Sequence, residues 1–242
     1  MGAATTLVTP ESLSSSAQLN WQRDRRFFIG MAVAAAVAVF IGFYPTYYLK
    51  AFYGTPVLPP LVHLHGFLFT AWIVLLITQT SFIAARRTHL HRRLGIGGGV
   101  LAVLMTIVAF FTAIGAVQRG RMTAQFLATP LATVIVFPAL VGAALIMRRQ
   151  PETHKRLMWI ATTELLNAPI GRFPVIWRST AFVAYSASDV FLAALLVYDL
   201  ATRRRLHPAT IWGSLFLVAA QALRTAIGHT NVWLVFARWL TS

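Results

Sequence analysis

The chain has 242 residues, of which 57% are hydrophobic and only 11% charged, and it contains no cysteine. Soluble domains carry roughly 25% charged residues, and the missing cysteine excludes disulfides, thiolate metal ligands, iron–sulfur clusters, cysteine nucleophiles and covalent haem attachment through C-x-x-C-H. The net charge of +15 does not point to nucleic acid, because the basic residues form short clusters between apolar blocks and not one stripe interleaved with aromatics.

Residues 1–26 read as a polar, Ser/Thr-rich cytoplasmic tail ending in Arg23, Asp24, Arg25 and Arg26. The first apolar block lies deep in the sequence with no small-residue cleavage site behind it, so the tail is expected to be mobile and is not a signal peptide. Residues 27–242 read as a single all-α domain, a polytopic membrane helix bundle of about seven transmembrane helices. Each apolar block has about the twenty residues that cross a ~30 Å hydrocarbon core. The expected spans are 27–48, 61–84, 95–117, 124–147, 157–177, 182–201 and 209–235. The first ends in Phe43, Tyr44, Tyr47 and Tyr48, an aromatic group suited to a membrane–water interface. Pro169, Gly171, Arg172 and Pro174 interrupt the fifth, which is expected to kink or break.

The charged residues orient these spans. The tail and the loops after spans two, four and six hold fourteen Lys and Arg, and the opposite side holds Lys50, Arg119, Arg121, Arg178 and Arg238. Basic loops stay in the cytoplasm, so the alternation predicts N-in and C-out with an odd number of spans. A weak internal echo accompanies it: Thr88-His89-Leu90-His91-Arg92-Arg93-Leu94 opens span three, and Thr153-His154-Lys155-Arg156-Leu157 opens span five.

With this orientation His63, His65, Arg172, Asp189, Arg224 and His229 fall at similar depth in the outer half. Intramembrane charges are costly and persist when paired or facing a polar cavity. Arg172 and Arg224 are matched in number by Glu164 and Asp189, which suits ion pairs tying spans five, six and seven together, or a pocket. His65 and His229 stand on separate helices away from loop charges. They suit axial ligation of a b-type haem, or, with His63 and Asp189, a divalent metal. His63 and His65 are two residues apart and share a site only if the helix begins between them. His89, His91, His154 and His207 lie beside basic clusters and also suit contact with lipid phosphates. Gly95-Ile96-Gly97-Gly98-Gly99 follows no strand and is no dinucleotide fingerprint. Its small residues permit close approach of another helix, or of a flat cofactor.

His63-Leu64-His65-Gly66 with Trp72 and Gln79, His91-Arg92-Arg93-Leu94-Gly95, and His154-Lys155-Arg156-Leu157-Met158 resemble a set of uncharacterised bacterial multi-pass membrane proteins over about residues 60–175. More distantly the pattern is similar to cytochrome b561 and ferric-reductase-like bundles. That resemblance implies the bacterial inner membrane and a haem b held among His65, His91, His154 and His229, with Arg172 and Arg224 available to an anionic group. The expected function is a haem- or metal-binding redox protein exchanging electrons with a quinone or another membrane subunit. A non-catalytic subunit or assembly factor of a larger complex, and a small-ligand transporter or receptor, remain open. A retinal-type pump is disfavoured, since Lys50 and Lys155, the only lysines, lie outside the spans.

Overall fold

The computed structural model describes residues 10–176 and 179–242, with side chains from Trp21 onward; Trp177 and Arg178 lie outside the described residues. Among these, the helices are α1 (Pro10–Phe43), α2 (Pro60–Ala84), α3 (Thr88–Gln118), α4 (Ala128–Ile146), α5 (Pro151–Ile170), α6 (Ala181–Ser188), α7 (Val190–Arg203), α8 (Pro208–Gly228) and α9 (Asn231–Thr241). Proline sits in the first turn of α2, α5 and α8, where its missing N–H costs nothing. Thr180 and Thr230 cap α6 and α9 by accepting from Val183 N (3.4 Å) and Trp233 N (3.2 Å).

Six segments are long and apolar enough to cross a membrane: Trp21–Tyr48, α2, α3, α4, the α6–α7 unit Ala181–Arg203, and α8. The molecule is an all-α bundle consistent with a polytopic membrane protein. The remaining long helix, α5, is the least apolar of the long ones and the most buried. Arg156, Thr162, Thr163 and Glu164 are all enclosed on it, beside Trp159, Ile160 and Leu166. Its neighbours are α1, α4 and α8, with α6 and α7 against its flanks. A polar helix belongs there, because side chains that lipid would reject find partners only in the bundle interior.

Contacts between helix ends define two ends of the bundle. At the basic end the start of α5 meets α1 through Lys155 and Asp24, and meets the end of α7 through Glu152 and Arg203. At the distal end Tyr47 donates to the His63 carbonyl (3.1 Å), linking the end of α1 to the start of α2. Gly42 there faces the Pro169 backbone so closely that a Cβ would lie 2.4 Å from the Pro169 oxygen.

Several expectations are corrected. Residues 10–26 are not a loose tail but the first turns of α1, continuous with the apolar stretch, and Asp24 is tied to both Lys155 and Tyr198. Of the two outcomes expected for the fifth span, a kink or a break, the break occurs: Pro169 sits in the last turn, the helix stops at Ile170, and Gly171 and Arg172 continue as turn, so the expected end at residue 177 is corrected. The stretch 209–235 is not one helix. It ends at Gly228, and after the Thr230 cap α9 begins, a short amphipathic helix that packs on α3. The 182–201 stretch divides at Asp189, where Ser188 turns its hydroxyl back to the Ala184 carbonyl (3.0 Å), a bond that bends helices.

Candidate functional site

A cavity of about 1450 Å³ lies at the basic end, walled by the middle of α1, the second half of α2, the first half of α3, the end of α4 and the start of α5. Typical ligand pockets measure ~300–1,000 Å³. Trp72 and Trp159 stand in its wall, each held by a hydrogen bond away from the space: Trp72 Nε1 donates to Thr162 Oγ1 (3.3 Å) and Trp159 Nε1 to the Phe191 carbonyl (3.4 Å).

His91 of α3 and His154 of α5 meet in this wall, ring centroids 6.2 Å apart and planes at 85°. The two segments of the sequence echo thus lie face to face. His154 Nδ1 lies 2.8 Å from the Ala144 carbonyl. A carbonyl only accepts, so Nδ1 carries the proton, and in the neutral ring Nε2 is left as the lone-pair atom. Ala144 is in the last turn of α4, where carbonyls lack partners within the helix, and the imidazole satisfies one of them. A bond of this kind from the far ring nitrogen fixes both the tautomer and the ring orientation of a ligating histidine. His91 Nδ1 is buried with no hydrogen-bond partner, and so is Gln79 Oε1 on the facing stretch of α2.

The glycine run supplies the surface beside these groups. Gly95, one turn past His91, would place a Cβ 3.8 Å from Gln79 Nε2, and Gly98 one 2.9 Å from Leu75 Cδ2. Gly95, Gly98 and Gly99 all line the cavity, so the α3 backbone is bared toward it over little more than one turn. Two orphaned polar atoms, an oriented imidazole and a backbone cradle fit a flat ligand that brings its own hydrogen-bonding or coordinating atom.

Two ionic networks flank the cavity. Toward the middle of the bundle Arg224 of α8 grips Glu164 of α5 with two bonds, Nη1–Oε1 2.7 Å and Nη2–Oε2 2.8 Å, both side chains fully buried. Thr133 donates to Glu164 Oε1 (2.6 Å), Asn167 Nδ2 to Oε2 (3.0 Å), and the Tyr185 ring lies 5.4 Å from the guanidinium carbon. At the basic end Arg156 of α5 joins Asp199 of α7, again fully buried, and reaches Glu152 (2.7 Å). Asp199 also accepts from Thr210 Oγ1 (2.5 Å) and the His207 amide (3.1 Å). Five of the six acidic side chains enter buried or half-buried contacts: Asp24, Glu152, Glu164, Asp189 and Asp199.

The outer-half constellation does not assemble as one site, although Arg172 lies near His65 and Arg224 near Asp189. α2 begins at Pro60, ahead of both histidines, so His63 and His65 diverge. His63 is exposed beside Lys50 Nζ (3.3 Å), and His65 stacks on Phe69 at 4.1 Å with a buried, unpartnered Nδ1. His229 is exposed at the end of α8, which packs on α4 and α5, whereas α2 packs on α1 and α3. Asp189 accepts from Gln221 Nε2 (2.9 Å). Arg172 does not pair with it but donates to the Ala168 carbonyl (2.6 Å) over the Phe43 ring (4.8 Å). Among the described residues no three His, Asp or Glu side chains gather as a metal ion requires, and His63, His65, Asp189 and His229 are dispersed. The pairing of spans five and seven through Glu164 and Arg224 does form.

Sequence reasoning placed Arg156 among loop charges and overlooked Asp199. The available signal was Asp199 inside an apolar stretch one turn ahead of Arg203, Arg204 and Arg205, where a lone acid needs a cation. Comparison of the chain with protein-family models, with curated proteins and with solved structures gave no match.

Proposed function

We propose that this chain is a haem-binding electron-transfer protein of a bacterial inner membrane, crossing it seven times with the N-terminus in the cytoplasm and the C-terminus outside. In this reading α5 is the seventh crossing, shielded from lipid by its neighbours, and α9 rests on the outer surface. The basic end then faces the cytoplasm, in line with the distribution of Lys and Arg.

The observation that carries the cofactor reading is the His91–His154 pair, 6.2 Å between ring centroids. The two rings stand close enough that both could reach one metal atom. A pair without a third protein ligand suits haem, whose macrocycle supplies the remaining nitrogens. His91 and His154 would hold the iron, Gly95, Gly98 and Gly99 would take the face of the macrocycle, and the haem would supply one-electron chemistry. The residues of the chain hold the ligand plane and exclude water, and Trp72 and Trp159 keep the inner wall apolar. A membrane quinone is the proposed electron partner.

The test is a reduced-minus-oxidised visible spectrum and a pyridine haemochrome assay on detergent-purified protein. About one haem per chain is expected, lost in His91→Ala and His154→Ala and kept in His65→Ala and His229→Ala. A folded, colourless protein from haem-replete cells would overturn the proposal.

A further inference from the structure

Five arginines converge on the mouth of the same cavity: Arg25 of α1, Arg86 of the α2–α3 turn, Arg92 of α3, and Arg148 and Arg149 of the α4–α5 turn. Among the described residues none of the five forms a salt bridge. The carboxylates at this end are engaged elsewhere, Asp24 by Lys155 and Tyr198, Glu152 by Lys155, Arg156 and Arg203. Asp24 and Glu152, the two carboxylates that line the same cavity, are held by other cations, and the remaining positive field attracts an external anion.

The mouth is also built. Trp21 lies between Arg86, whose guanidinium carbon is 4.6 Å from the ring centre, and Arg25, at 5.6 Å. Packing over the ring leaves the N–H edges of both guanidinium groups free for bidentate bonds to an oxyanion. Arg86 is held in the left-handed region at φ 59°, an uncommon conformation for a residue with a Cβ. Below the arginines the wall turns apolar, with Phe28, Leu76 and Ile83, so the space accepts hydrocarbon under an anionic head.

We infer that the arginine-ringed mouth binds the phosphate head group of an anionic phospholipid, whose acyl chain enters the cavity between α1, α2 and α3. The site sits at the ends of membrane-length helices, where head groups lie, and a tryptophan at its lip fits that depth. It shares the cavity of the His91–His154 pair but uses other residues of its wall and requires no haem.

The test uses the full chain in neutral detergent. Its unfolding temperature is followed while phosphatidylglycerol, phosphatidylcholine or soluble glycerol phosphate is added, and native mass spectrometry counts bound lipid. Saturable stabilisation by phosphatidylglycerol alone is expected, with one lipid retained per chain. Arg86→Gln with Arg148→Gln should weaken the apparent affinity by about a hundredfold, tenfold for each charge-assisted bond removed. Arg119→Gln with Arg121→Gln, at the distal end, should leave it unchanged. Equal stabilisation by phosphatidylcholine, or an unaltered response in the Arg86/Arg148 variant, would overturn the inference. Equal binding of glycerol phosphate would overturn the acyl-chain part. The readouts contain no haem signal, so failure here and failure of the cofactor proposal are distinguishable; should the Arg86/Arg148 variant fail to fold, Arg149→Gln alone should weaken binding about tenfold.

Discussion

Arg224 and Glu164 face each other across α8 and α5 in a two-bond pair of 2.7 and 2.8 Å, with neither side chain reaching the surface. Removing one partner strands a buried charge, which costs about 3–5 kcal/mol, whereas removing both is far milder. Arg224→Met and Glu164→Gln should each destabilise by that amount, and the double variant should recover most of it. Denaturant titration in mixed micelles measures the cycle, and additive single effects would show that the pair is not coupled.

Gly42 and Gly30 share α1 but not their surroundings. A Cβ at Gly42 meets the Pro169 backbone at 2.4–2.5 Å, while one at Gly30 meets nothing within 4 Å. Gly42→Ala should destabilise by about 1–3 kcal/mol through forced separation of α1 from α5. Gly30→Ala should be neutral or stabilise by up to about 1 kcal/mol. Parallel melts of the two variants check the contrast.

Gly95 tests the cradle. Its Cβ would make ordinary contact with Gln79 Nε2 at 3.8 Å, so Gly95→Ala leaves the bundle intact. Gly95→Leu places a branched side chain into the cavity. Haem occupancy should fall by more than half in the leucine variant and stay near wild type in the alanine variant, as read by the ratio of Soret to protein absorbance.

His207 caps α8, its Nδ1 accepting from the Ala209 amide at 3.1 Å. Burial, then the nearby charges of Arg156 and Arg203, hold its pKa below the ordinary histidine value. A depressed folded-state pKa means that the unfolded chain binds the proton more readily, so stability rises with pH across that window. The cap contributes fully above the ordinary histidine value near 6.5 and is lost as pH falls below it through the folded value, because protonated Nδ1 cannot accept. His207→Ala should cost about 1 kcal/mol at pH 8, and the difference from wild type should shrink toward pH 5. Thermal unfolding at a series of pH values measures it.

The absence of native cysteine makes topology directly testable. With an N-in, C-out arrangement, Ser242→Cys should react with a membrane-impermeant maleimide in intact spheroplasts. Gln150→Cys, in the exposed α4–α5 turn, should react only after permeabilisation. The reverse pattern would invert the proposed orientation.

The all-α membrane-bundle class, most of the long apolar helices and the clustering of charge at one end were legible in the sequence, because apolar run length and the placement of Lys and Arg are local properties set by the thickness and charge asymmetry of a bilayer. The same reading matched Arg172 and Arg224 in number with Glu164 and Asp189, and of these Arg224 and Glu164 pair. It ranked His65 and His229 above His91 and His154 because depth along a span is readable from residue number. Which helices are neighbours is not readable that way, and α2 and α8 turned out to pack on different partners. Only the tertiary structure could turn His91 and His154 toward each other, close Arg156 onto Asp199, and show α5, the most polar long helix, to be the centre of the bundle. Those outcomes depend on side-chain packing between segments distant in the chain, where each buried polar group must find its complement on another helix.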